Sequence, residues 1–227
     1  HTVSGLVTKD PPFDPVRDFA GVTRLASAPL YLIAHPDVPA KTVQEVVDLA
    51  KAQPGKLNYA SSGIGTGTHL SMEMLKYMTG MEIVNVPYKG GAPAVQALVA
   101  GQVQLNLATI STALPQVKAG VLKMLAVSTG RRWPSVPDVP TLAESGVPGF
   151  AVDQWYAVFA PAGTPAATVS RLNAEIVKVV QLPEIAERWA ALGAEPLTNT
   201  PEQFAVFIKN DLAKWAKVVR DSGAKVD

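Results

Sequence analysis

The sequence predicts an α/β chain built on a largely parallel sheet with helices on both faces. Three observations carry that reading. Short apolar runs alternate with amphipathic stretches between residues 42 and 128, which is the pattern of repeated βα units. Glycines fall where those helices should end. Hydrophobic residues make up 48% of the 227 positions and charged residues only 17%, ample material for a buried core.

Taken in order, "TVQEVVDLAKA", residues 42–52, reads as a helix. Thr42 is its cap, Glu45 stands three residues on, and Val43, Val46, Val47 and Leu49 form an apolar side. A strand is expected near Leu57–Ala60, a helix near His69–Met78, a strand near Ile83–Val86 and a helix near Ala92–Ala100. A strand near Gln104–Ala108, a helix near Ala113–Ala119 and a strand near Lys123–Ser128 complete three βα units. Gly80, Gly101 and Gly120 stand just past the helix ends. "RRWPSVPDVPTLAESGVPGF" holds four prolines and reads as a surface connector with one short helix at Thr141–Ser145. "VDQWYAVFAP" is a strand. A helix follows with Thr164 as cap and Pro165 in first position, then one at Pro183–Ala191 and a last one from Pro201 to about Arg220, capped by Thr200. The strand of this C-terminal third has no neighbour nearby in sequence and needs partners from elsewhere.

Composition narrows the function. The formal net charge is +1 and the basic residues are scattered, so nucleic acid is not an expected partner. No run reaches the ~18 apolar residues of a membrane span, so no membrane insertion is expected. The absence of cysteine removes disulfides, thiolate nucleophiles and cysteine metal sites. The chain opens on His1 without a methionine, which reads as a mature or trimmed product.

The segment "NYASSGIGTGTHLSMEML", residues 58–75, crowds glycines and hydroxyl residues between a strand and a helix. Backbone N–H groups and the positive end of the helix dipole at such a turn attract an anion without lysine or arginine. "PYKGGAP", residues 87–93, and "ATISTALP", residues 108–115, repeat the arrangement, and in a parallel sheet the three turns share one edge. One such turn reads equally well as a tight connection between elements; three together point to binding. Gly63, Gly65 and Gly67 are too closely spaced for a dinucleotide fingerprint, and no Gly-Lys-Ser or Gly-Lys-Thr occurs, so no nucleotide cofactor is expected. His69 and Glu73 lie four apart on one helix face, but two ligands do not make a metal site. His69 could serve Ser61 or Ser62 as a base, yet no acid partner or nucleophile elbow accompanies it. Its expected role is to donate a hydrogen bond to the loop or to a ligand. Met72, Met74, Leu75, Met78, Trp189 and Trp215 read as packing residues. Trp155 and Tyr156 alternate on a strand and must face opposite ways, and Lys123, Arg131 and Arg132 read as a solvated rim.

"KLNYASSGIGTGTHLSMEML", "VPYKGGAPAVQALVAGQV", "KAGVLKMLAVSTGRRWPSVPDVPTLAESGVPGF" and "WYAVFAPAGTP" together resemble the Bug family of periplasmic receptors of tripartite tricarboxylate transporters. "FDPVRDFAGVTRLASAP" and the C-terminal segment resemble it too, so the likeness runs over nearly the whole chain. The resemblance implies a two-lobed, periplasmic-binding-protein-like fold (type II-like), closing on a small carboxylate for transfer to membrane transporter subunits, with no catalytic chemistry. It implies lobes formed by residues 29–150 and by residues 1–28 with 151–227. It also implies ligand contacts from Ser61, Ser62, Gly63, Thr66, Thr68 and His69, from Tyr88, Lys89 and Gly90, from Thr109, Ile110 and Ser111, and from Trp155. Many relatives carry an aspartate in the third loop where this chain has none. Di- or tricarboxylates, acidic amino acids and aromatic acids are all candidate ligands. A carboxylate sensor for a signalling partner and a His/Ser hydrolase are the alternatives. Relatives begin with a βαβ segment ahead of the position of His1, so the first lobe is expected to be short of strands and open to self-association.

Overall fold

The computed structural model describes residues 4–7 and 13–223. After a single helical turn, α1 (Ser4–Val7), the chain forms β1 (Phe19–Ala34), α2 (Val43–Ala52), β2 (Asn58–Ser61), α3 (Gly67–Thr79), β3 (Val84–Pro87) and α4 (Gly91–Val99). It continues with β4 (Leu105–Thr109), α5 (Ile110–Lys118), β5 (Lys123–Val127), β6 (Asp153–Pro161), α6 (Ala166–Val180), α7 (Pro183–Ala191), β7 (Glu195–Pro196) and α8 (Pro201–Ser222).

The βα units form as expected, and the expected parallel sheet needs one correction. Strands run in the order β3-β2-β4-β1-β5. β2 is parallel to β3 and β4, but β1 enters between β4 and β5 and is antiparallel to both. At 16 residues β1 is far longer than the usual strand of about 5–6. Its first half, Phe19–Pro29, pairs with β6, which supplies the partner that strand lacked in sequence; Ala26 and Ser27 also pair with β7. Its second half, Leu30–Ala34, pairs with β4. Pro29 stands where the partners change. A proline has no N–H for a ladder, so a strand interior tolerates it best where pairing is interrupted. Ser128, fully buried, fastens this crossing: its Oγ accepts from Leu30 N at 2.8 Å and donates to Val152 O at 2.6 Å.

Helices cover both faces. Leu32, Leu105 and Leu107 meet the buried side of α2 and the Met72 and Leu75 side of α3. On the other face Tyr31, Ile33 and Val127 meet Ala94, Val95 and Leu98 of α4 and Ala113 of α5. Each fully buried aliphatic side chain here contributes about 1.5–3 kcal/mol. α8 begins with a capping box on Thr200 and Gln203 and is long enough to serve two regions. Phe204 near its start packs with Trp155 and Phe159 of β6, whereas Trp215 and Val218 join the core of α2 and α3. Where α8 crosses β1 there is room for glycine only: a Cβ on Gly21 would lie 2.7 Å from the Phe204 ring.

Several boundaries move. No helix forms at Thr141–Ser145; Thr141 bridges to Val127, and its hydroxyl and carbonyl take the Glu144 and Ser145 amides in a turn that ends at Gly146. α6 starts at Ala166 with Pro165 as the capping position, while the Thr164 hydroxyl donates back to Pro161 O. α5 starts at Ile110 rather than Ala113, which puts Pro115 inside the helix instead of in its first turn. Lys123 is not a rim residue, because its Nζ donates to the carbonyls of Val38 and Ala40. Trp215 is core, but Trp189 is half-buried beside Tyr156. Gly80, Gly101 and Gly120 have positive φ past their helix ends, as expected.

Candidate functional site

A cleft of about 850 Å³ lies where the two halves of β1 meet, at the C-terminal edge of the parallel strands. The N-terminal turns of α3, α4 and α5 all reach it, through Thr66, Gly67 and Thr68, through Gly91 and Ala92, and through Thr109 and Thr112. Its other wall is β6 from Asp153 to Ala157, with Phe159, Asp211 and Trp215 beyond.

Each helix start is locally determined. In α3 the Thr66 side chain caps the His69 amide and donates to Gly63 O at 2.7 Å. Its oxygen lies 3.1 Å from Ser62 Oγ and 3.0 Å from Thr68 Oγ1, and the latter two are 2.7 Å apart. These three hydroxyls can rotate their protons toward an incoming acceptor. Gly90 and Thr109 stand at the N-cap positions of α4 and α5, with no side-chain cap on either. Their first-turn amides therefore keep the unsatisfied donors and positive dipole end typical of a helix start. Among the described residues no Lys, Arg or His contributes to the lining. A carboxylate entering here would be held by amides and hydroxyls rather than by a salt bridge.

Acidic groups lie on the opposite wall. Partial desolvation pushes the Asp153 carboxyl above its ordinary range, against the pull of Lys214 and Arg24. Burial in turn pulls Lys214 and Arg24 below theirs. Arg24 lies 4.2 Å above the Phe207 ring and Lys214 donates to Ala151 O, and neither is among the lining residues.

Of the residues expected at the site, the cleft brings together Ser62, Thr66, Thr68, Thr109 and Trp155. Ser61 is fully buried beneath it, and Gly63 supports it by accepting from Thr66. Tyr88 donates its amide to Ser61 O, Lys89 is exposed, and Tyr88, Lys89 and Gly90 precede the lining residues Gly91 and Ala92. Ile110 and Ser111 face a neighbouring cavity. Sequence reasoning missed Thr112, Asn106, Asp153, Gln154 and Asp211. Thr112 was hidden by the late start assigned to α5, and the wall residues only meet the loops through the crossing of β1.

His69 is buried, and its Nδ1 accepts from Gly65 N at 3.1 Å rather than donating to the loop. Burial lowers its pKa; Glu73 opposes the shift and Lys76 adds to it. Glu73 is occupied by the Tyr59 hydroxyl at 2.6 Å and by Lys76 Nζ at 2.8 Å. The hydroxyl of Ser62 is engaged with Thr66 and Thr68 and the buried Ser61 hydroxyl makes no hydrogen bond to His69, so no His/Ser pair is assembled here. Protonating His69 would remove the acceptor for Gly65. A histidine depressed in the folded state is neutral in both states above about pH 6.5, and its stabilising share is lost as pH falls from there through the lowered folded value. Urea unfolding at pH 7.5 and pH 5 should show wild type losing more stability on acidification than His69→Gln. An equal loss in both proteins would remove His69 as the source.

A mixed sheet with parallel β3, β2 and β4, a second ladder joined to it through one long strand, and a cleft at the join make up a periplasmic-binding-protein-like α/β fold. The chain belongs to the tripartite tricarboxylate transporter receptor family, whose model matches residues 2–224. It is 37% identical over 209 residues to the UPF0065 protein in the tcbD-tcbE intergenic region of Pseudomonas sp. (strain P51), covering 92% of this chain and 62% of that one. The chain thus spans less than two thirds of that relative's length. Among solved structures it resembles R. palustris Rpa4515 with adipate, with TM-score 0.90 and 33% identity over 99% of this chain and 76% of that one. It also resembles MatC (Rpa3494) from Rhodopseudomonas palustris with bound malate, with TM-score 0.84 and 31% identity over 96% and 75% of the two chains.

Proposed function

We propose that this chain is the ligand-binding part of a periplasmic receptor that captures a small carboxylate and delivers it to the membrane subunits of a tripartite tricarboxylate-type transporter. The observation that carries the reading is the convergence of three helix N-termini, two of them without side-chain caps, on a cleft that has no cationic lining among the described residues. Family membership and the adipate and malate named with the two neighbours support the ligand class. Among the described residues no helix is long and apolar enough to cross a membrane. Residues 29–150 would form one lobe and residues 1–28 with 151–227 the other, turning about the Pro29–Leu30 crossing.

Isothermal titration with a panel of small mono-, di- and tricarboxylates tests the proposal. One or more should bind, and Ser62→Ala should weaken that binding by about 1–2 kcal/mol, the worth of a hydrogen bond to a charged group. Lys89→Ala, exposed and outside the lining, should bind like wild type. Failure of every acid to bind, or a large loss with Lys89→Ala and none with Ser62→Ala, would contradict the reading.

A further inference from the structure

Thr109, Gln154 and Tyr156 line the main cleft and also a second cavity of about 180 Å³. The second cavity lies against α7 and is walled by Ile110, Trp189 and Leu192. Tyr156 and Trp189 form an aromatic pair with ring centroids 5.8 Å apart and planes inclined by 33°. Both rings are incompletely buried, Tyr156 being 41% exposed, and Leu192 beside them is 58% exposed. An apolar cavity of about 150 Å³ accommodates benzene, so this one has room for a single aromatic ring.

The charge pattern narrows the ligand further. Among the described residues neither cavity has Lys, Arg or His in its lining, and Asp153 and Asp211 stand in the wall of the main cleft. Lys214, Arg24 and Arg131 act electrostatically on the Asp153 carboxyl, and none of the three is among the lining residues. A second carboxylate on the ligand would meet these acidic side chains, and the described lining offers it no cation to replace its hydration.

We propose that the cleft selects a monocarboxylate with an apolar body about one aromatic ring in size, its carboxylate at the N-termini of α3, α4 and α5 and its ring in the annex against Tyr156 and Trp189. This deepens the carboxylate-receptor reading and rests on it. Trp189 and Leu192 belong to the annex alone, so they separate ring recognition from carboxylate recognition.

Titrating the chain with acetate, phenylacetate and adipate tests it. Phenylacetate should bind at least tenfold more tightly than either of the others. Trp189→Ala and, independently, Leu192→Glu should each weaken phenylacetate at least fivefold while leaving acetate unchanged. Leu192 is exposed enough that its substitution leaves the core intact, so that variant decides the matter if Trp189→Ala fails to fold. Adipate binding as tightly as phenylacetate, or variants that leave phenylacetate unaffected, would overturn this inference and leave the receptor reading standing. Failure of all three acids and of the wider carboxylate panel would overturn both.

Discussion

Gly193→Ala is expected to destabilise the protein by about 3 kcal/mol, combining overpacking with a side chain at unfavourable φ. Gly193 has φ +72°, and a Cβ there would lie 2.3 Å from Ile110 Cδ1 and 2.4 Å from its Cγ2. The same glycine accepts from Trp133 Nε1 at 3.0 Å, so its backbone cannot retreat without breaking a buried hydrogen bond. Ile110 is the first residue of α5, and the displaced helix start is a wall of the cleft. Carboxylate affinity should therefore fall with stability. Denaturant unfolding of Gly193→Ala, Ile110→Ala and the double variant checks the cause. Relief of the clash should make the double loss smaller than the sum by about 1 kcal/mol or more. Strict additivity would show that Ile110 is not what the new methyl strikes.

Ala92→Asp is expected to lower carboxylate affinity by more than 100-fold, because like charges held together at a binding site cost several kcal/mol. Ala92 is exposed, lines the cleft and lies in the first turn of α4. An acidic residue there suits the helix dipole, so the folded protein should be as stable as wild type or more so by about 0.3–1 kcal/mol. Ala92→Asn, similar in shape but uncharged, should lose far less affinity. Calorimetry with thermal unfolding separates the two effects. Retained affinity in Ala92→Asp would place the carboxylate away from α4.

The βα region was legible because each signal there is local. Thr42 caps α2, glycines close α3, α4 and α5, and the apolar face of every helix shows at helical spacing. β1 left no such trace. It is buried on both faces from Ala26 onward, so no alternation marks it, and Pro29 inside it reads as a break. Only the change of partner at that proline explains how one strand serves two ladders. The candidate site divides the same way. Ser62, Thr66, Thr68 and Thr109 could be read from their place between strand and helix, whereas Asp153, Gln154 and Asp211 reach the cleft only through the β1–β6 ladder and the packing of α8. His69 was noticed for its chemistry, but which atom it offers depends on where the Gly65 amide lies.

The central claim is that backbone amides and hydroxyls at three helix starts hold the ligand carboxylate. A crystal structure of the chain soaked with a carboxylate that binds it tests this most directly. Expected are carboxylate oxygens within about 3 Å of first-turn amides of α3, α4 or α5 and of the Ser62–Thr66–Thr68 hydroxyls, the ordinary range of such hydrogen bonds. A carboxylate paired instead with Lys89, Arg24 or Lys214, with those helix starts left to water, would contradict it.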